Sequence, residues 1–304
     1  MKKLVINAHT HLEFSDRGYL YPSKTMEFTN LLRKVVKTNP PSDSNSYKKS
    51  CELGVKKLLE CGTDIVCDVS KTGYSVEPLV KAGLSGIVYI QFLGENIEAA
   101  KEKFKKVKNK IKKAKKIAKG SNIEIGFCLH APYSINQLMW KPVLKYCKKN
   151  GLPICIHVAE SPAERELFTK GTGKLRKIER DFELTPINCP KLSPIKYLEK
   201  MGVLKLRPLL VHAVQVDDED IEIIKSSGSS VVHCPRSNTA LQCGRMPLEK
   251  FIKAGIDIYF GTDSLMSSPS LDINDEVKFA LNIHKRKVSK EKIKKIAEQE
   301  IFTY

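Results

Sequence analysis

Long apolar runs are missing from this chain. No stretch reaches the ~18 consecutive apolar residues of a membrane-spanning helix, and Met1-Lys2-Lys3 leads into only a short apolar segment. Neither a membrane span nor a signal peptide is expected. Paired cysteines are missing too. The nine cysteines are scattered without a Cys-x-x-Cys, and Cys67, Cys128, Cys155 and Cys234 fall inside apolar runs. That usage fits reduced thiols in a cytoplasmic protein rather than a disulfide framework. Acidic residues are few, 34 Asp+Glu against 52 Lys+Arg, for a net charge of +18. No low-complexity linker and no repeat beyond the β-α unit divides the chain, so a single domain over residues 1–304 is expected.

The excess charge raises the possibility of a nucleic-acid partner, but its distribution argues against one. Much of the lysine lies in Lys101–Lys119, where Phe104, Val107, Ile111, Ala114 and Ile117 or Ala118 recur at helical spacing. The lysines therefore form the outer face of an amphipathic helix, without the interleaved aromatics of a stacking platform. A basic surface can still steer an anionic substrate toward the protein.

The remaining sequence is 41% hydrophobic and 28% charged and alternates short apolar runs with helical periods. Strands are expected at Leu4–Ile6, Thr63–Asp68, Gly86–Phe92, Ile123–Leu129, Pro153–Val158, Pro208–His212, Ser230–Cys234 and Asp257–Gly261. Helices are expected over Thr25–Lys37, Ser46–Glu60, Val76–Ala82, the lysine-rich run, Asn136–Asn150 and a segment through Glu164 and Leu167. Others begin at Ser193, Asp217, Pro247, Asp272 and Ser289, with a breaker at Asn39–Ser42 and an irregular stretch from Gly171 to Pro190. Eight buried strands alternating with helices predict a (β/α)8 TIM barrel, with an open doubly wound sheet as the alternative.

Six of the seven histidines stand in or at the end of an apolar run: His9, His11, His130, His157, His212 and His233. Taken singly, each fits a buried imidazole bonded to a carbonyl. Together, at equivalent strand ends, they point to one shared site. His284, in KFALNIHKRK, reads as an ordinary surface residue. His9 and His11 are two apart, so an extended chain turns both rings to one face, as half of a metal's ligand set requires. Asp263, in Gly261-Thr262-Asp263, follows the eighth strand and adds a carboxylate beside the first. With His157, three imidazoles and a carboxylate leave room for water on a metal, as a catalytic centre needs. Glu160 can shuttle a proton from water to a ring nitrogen and on to a leaving group, the alternative being a glutamate favoured by the dipole at a helix N-terminus. His212 is placed to hydrogen-bond or deprotonate the water.

The ordered set HTH, HVAE, VH, VVHCPRSN and GTD resembles the amidohydrolase superfamily, in the branch of adenosine, S-adenosylhomocysteine, guanine and aminodeoxyfutalosine deaminases and triazine hydrolases. The resemblance implies that His9, His11, His157 and Asp263 bind one divalent metal, zinc first, with iron or manganese also accepted. It implies Glu160 as proton shuttle and substrate contact, His212 and Asp263 as catalytic, and His130, in LHAPYSI, as a substrate contact. Ser237 and Asn238 are expected to brace the loop over the site. HTHLEFS is most similar to the aminodeoxyfutalosine deaminases of menaquinone biosynthesis, whose substrate carries a benzoate that Arg17, Arg236 or Arg245 could meet. The implied activity is deamination of a 6-aminopurine nucleoside. Guanine or cytosine deamination, triazine dechlorination, or an inactive nucleic-acid-binding or scaffold barrel are the alternatives. The flanking β-sandwich of such proteins is largely absent, an absence that would expose barrel surface to a second copy in a homo-oligomer.

Overall fold

The computed structural model describes residues 4–38, 45–94, 96–182, 184 and 186–298. Its strands are β1 (Ile6–Thr10), β2 (Ile65–Ser70), β3 (Ser85–Phe92), β4 (Ile123–Leu129), β5 (Ile154–Val158), β6 (Leu209–His212), β7 (Val231–His233) and β8 (Ile258–Phe260). They form one parallel sheet in the order β1 to β8. The ring closes where Thr10 bridges Asp263 and the Asp263 N–H donates to the His9 carbonyl at 3.0 Å. The expected barrel is the observed one.

Around it stand α1 (Phe28–Thr38), α2 (Asn45–Glu60), α3 (Val76–Lys81), α4 (Ile97–Ile117), α5 (Trp140–Lys149), α6 (Pro162–Lys170), α7 (Lys174–Asp181), α8 (Pro194–Lys200), α9 (Asp218–Ser227), α10 (Pro235–Ala240), α11 (Leu248–Ala254), α12 (Ile273–His284) and α13 (Lys290–Ala297). The breaker at Asn39–Ser42 lies outside the described residues. In α4, Phe104, Val107, Ile111 and Ala114 are buried as the periodicity predicts. Ala118 completes the stripe and Ile117 turns outward.

Two helices correct the sequence reading. The stretch Gly171–Pro190, expected to be irregular, contains α7, which buries Leu175 and Ile178. Its charged composition, KLRKIERD, hides an apolar spacing of only two positions. An Arg176–Glu179 ion pair at 2.5 Å, with Glu179 also accepting the Ile187 N–H at 3.0 Å, ties the following loop to it. The second is α10, directly after β7. The fifth helix also starts later than Asn136, because Asn136 caps a single 3-10 turn by accepting the Leu138 N–H.

Inside the ring, Ile6, Ala8, Val69, Tyr89, Val211 and Tyr259 pack with Cys67, Cys128, Cys155 and Cys234. The cysteines are small inward residues of the barrel, and all nine in the chain are free thiols. No helix among the described residues is long and apolar enough to cross a membrane.

Candidate metal centre at the C-terminal face of the barrel

The strand ends deliver the expected side chains to one point. His9 lies on β1 and His11 just beyond it, with ring centroids 4.8 Å apart. His157, on β5, approaches both across the barrel mouth. Its Nε2 is 3.2 Å from Nε2 of His11 and 3.3 Å from Nε2 of His9. Oδ1 of Asp263 lies 3.4 Å from Nε2 of His9 and 3.5 Å from Nε2 of His11. Such closeness of Asp263 to β1 depends on Gly261, since a Cβ there would stand 2.7 Å from the Cβ of His9.

These separations test whether a metal fits. A tetrahedral ion with nitrogen and oxygen ligands at about 2.0–2.1 Å holds its donors about 3.3–3.4 Å apart, close to these four separations. The chemistry of His9, His11 and Asp263 agrees, whereas His157 is raised to about 9, against the pull of burial, by the Cys128 thiol beside it and would shed a proton on binding an ion. Burial lowers His9 and drives His11 well below the ordinary imidazole range, which leaves neutral rings with lone pairs to offer. Burial alone would raise Asp263. The hydrogen bond to His9 and the fields of His11 and His9 outweigh it and hold the carboxyl well below its usual range. His9, His11 and His157 are a set able to hold an ion.

His157, Asp263 and His212 are each aimed by a neighbour. Nδ1–H of His157 donates to the His130 carbonyl at 2.7 Å, so Nε2 is the ring atom turned to the centre. Oδ2 of Asp263 accepts from Ser237 Oγ at 2.6 Å and from Ser267 Oγ at 2.7 Å, leaving Oδ1 for the imidazoles. His212 donates from Nδ1 to Asn238 Oδ1 at 2.9 Å and turns Nε2 toward Oε1 of Glu160, 3.6 Å away. Ser237 and Asn238 therefore do more than brace a loop, because each bonds directly to a site residue. Ser267 gave no sequence signal beyond its place in a serine-rich turn.

Burial pushes the Glu160 carboxyl well above its ordinary value, with Asp263 and Glu164 adding to the rise and His157 opposing it. That rise favours the protonated acid, the form that can give a proton away. Glu164 was missed. Its carboxylate accepts the N–H groups of Ala159 (3.0 Å) and Glu160 (2.8 Å) and so fixes the turn that carries Glu160. His130 lines the same cavity, its Nδ1 bonded to Ser134 Oγ at 2.8 Å, and burial lowers it to about 3.

His233 and His284 correct the expectation for the histidines. His233 does not join the cluster. Its Nε2 meets Nε2 of His284 at 3.0 Å, and His284 is fully buried rather than a surface residue. Arg245 donates to His284 Nδ1 at 2.8 Å. His284 Nε2 must then carry the proton and donate to His233.

A parallel eight-stranded barrel with a histidine-carboxylate centre at the strand ends is the architecture of a metal-dependent hydrolase. The sequence profile of the Amidohydrolase family matches residues 5–300, and the chain belongs to that family. It is 30% identical over 288 residues to an aminodeoxyfutalosine deaminase of Deinococcus radiodurans, covering 92% of this chain and 67% of that protein. It is 30% identical over 290 residues to a 5-methylthioadenosine/S-adenosylhomocysteine deaminase of Thermococcus kodakarensis, covering 92% and 62%. The crystal structure of Helicobacter pylori aminofutalosine deaminase superposes with a TM-score of 0.81 at 25% identity, covering 97% of this chain and 69% of that one. The chain thus spans about two thirds of the length of these relatives.

Proposed function

We propose that the protein is a metal-dependent aminohydrolase that converts a 6-aminopurine nucleoside to its 6-oxo form with release of ammonia. The observation that carries this reading is the meeting of three imidazole Nε2 atoms and Asp263 Oδ1, with four separations of 3.2–3.5 Å, beside the buried carboxyl of Glu160. His9, His11, His157 and Asp263 would hold one divalent ion, zinc being the first candidate for a nitrogen-rich set. Such an ion acts as a Lewis acid and makes water nucleophilic at neutral pH.

The chain's own residues supply the proton transfers. His212 is held neutral by burial, which lowers it to about 3, and its Nδ1–H is committed to Asn238. Nε2 can then accept a proton from the attacking water. Glu160 gives its proton to the ring nitrogen beside the amino-bearing carbon as the C–O bond forms. The carboxylate of Glu160 then takes the remaining proton of the added hydroxyl and passes it to the amine, which leaves as ammonia when the C–N bond breaks, and the proton held by His212 restores the acid. The names of the relatives support an adenine nucleoside as substrate. Loss of ammonia also requires a proton donor such as Glu160, which loss of chloride from a triazine would not.

The test is ammonia release and the purine absorbance shift from zinc-loaded protein given adenosine, methylthioadenosine, S-adenosylhomocysteine, aminodeoxyfutalosine, guanine and a chlorotriazine. Turnover of an adenine nucleoside is expected, reduced about 10²-fold or more in Glu160→Gln. Silence on every nucleoside with one metal bound per chain would exclude the proposal.

A further inference from the structure

The cavity over the candidate centre has the histidines and carboxyl groups at its floor, and Tyr133 and Ser264 add hydroxyls to its lining. Much of the rest is apolar: Phe14, Phe28, Leu31, Leu32, Val35 and Met266. Four of these, at 28, 31, 32 and 35, form one apolar stripe of α1. In a chain of net charge +18, no lysine or arginine lines this cavity among the described residues.

The three arginines that could have met a substrate carboxylate are engaged elsewhere. Arg236 is buried against Glu276, with Nε donating to Oε1 at 2.6 Å. Arg245 grips both oxygens of Glu249 at 2.8 Å. Arg17 is buried with its guanidinium over the rings of Phe14 and Tyr47, 5.1 and 5.7 Å from their centroids. A second depression adjoins the cavity across Phe28 and Leu241. It carries Glu27, Glu166 and Lys174, and the Lys174 ammonium is paired with Glu27. A carboxylate extending that way meets net negative charge.

We infer that the site selects adenine nucleosides whose 5′ substituent is neutral and apolar, a short alkyl or thioether group, over those ending in a carboxylate, with α1 as the selecting surface. The inference rests on the deaminase reading above. The reacting C6 must sit on the polar floor, between Glu160 and the histidines. The ribose and its 5′ group then point away from the floor and against α1. An apolar substituent there loses only water. A carboxylate would be stripped of water against leucine and phenylalanine with no cation in the lining to balance it.

The experiment compares kcat/KM of the zinc-loaded chain for adenosine, methylthioadenosine and aminodeoxyfutalosine. Methylthioadenosine is expected to exceed aminodeoxyfutalosine by about tenfold or more. Leu32→Arg and Val35→Arg, at half-buried positions of α1, should each shift that ratio toward the carboxylated substrate. A wild-type ratio at or below one would overturn the inference. So would an unchanged ratio in both arginine variants, each melting as the wild type does. Turnover of adenosine alongside either result leaves the deaminase reading standing and removes only the selectivity. No ammonia from any of the three removes both.

Discussion

His212 and Asp263 adopt left-handed backbone conformations, with φ of 76° and 62°, and Ala159, next to Glu160, does so at 50°. Non-glycine residues there cost of order 1–3 kcal/mol each and persist only where surrounding bonds over-determine them. Those bonds are present. The Ala159 carbonyl accepts from Val214 (2.9 Å) and Gln215 (2.7 Å), and the Asp263 N–H is held by His9. The imidazole of His212 is fixed in turn by Asn238. Asn238→Ala should lower kcat about 10–100-fold, distort the basic limb of the kcat–pH profile, and leave the melting temperature nearly unchanged. Asn238→Asp keeps an acceptor at Nδ1 and should recover much of the loss. A parallel loss of kcat and folding would make Asn238 merely structural. His9, His11, His157 and Asp263 were legible because each terminates an apolar run. The bond made by Asn238 was not, because this residue lies on α10 and its partner stands 26 residues away on β6.

Among the elements, α1 and α7 depend on each other. Arg33 of α1 pairs with Asp181 of α7 at 2.6 Å, and the Lys174–Glu27 pair joins their other ends. The helix that walls the cavity is thus held by a segment whose sequence looked irregular. Periodicity failed there because salt bridges, not an apolar face, fix much of the geometry. It failed at α10 for a related reason. PRSNTA has almost no apolar residues, yet Arg236, Ser237 and Asn238 are buried because each is hydrogen-bonded to α12 or to the site. His284 was misread on its flanking lysines, since its burial comes from His233 on β7.

The link between α11 and the residues after α12 gives a pH prediction. Bonding to Arg245 holds the Glu249 carboxyl down to about 2, from an ordinary 4.5, with Lys287 assisting from 3.3 Å. The folded value lies below the unfolded one, so the stabilisation is present above about pH 4.5 and is lost as pH falls toward 2. Glu249→Gln should therefore melt below the wild type at neutral pH, and the gap should close across that window. A gap independent of pH, measured by thermal melts from pH 7 to 2, would refute the assignment.

For the whole molecule, the barrel was the most legible feature, since eight apolar runs at β-α spacing leave few alternatives. The candidate centre also has a consequence for stability. Its donors come from β1, β5 and the end of β8, so an ion there cross-links distant parts of the ring. Removing it with a chelator should lower the melting temperature, and adding zinc back should restore it. At a free zinc concentration 100 times the dissociation constant the difference is about 2.7 kcal/mol. No change in melting temperature on chelation would argue against the four-residue ligand set.

The join between β8 and β1 bears further on this. β7 and β8 are three residues each, and the last join of the ring is an isolated bridge between Thr10 and Asp263, with Asn7 and Thr262 exchanging hydrogen bonds of 2.9 and 3.1 Å beside it. A hoop parts first at its weakest joint, and here the clasp and the catalyst would be the same atoms. Amide hydrogens of Ile258–Asp263 should then exchange with solvent earliest in the metal-free protein and slow most when zinc is added. Occupancy of the centre would thus be readable in the backbone without any substrate.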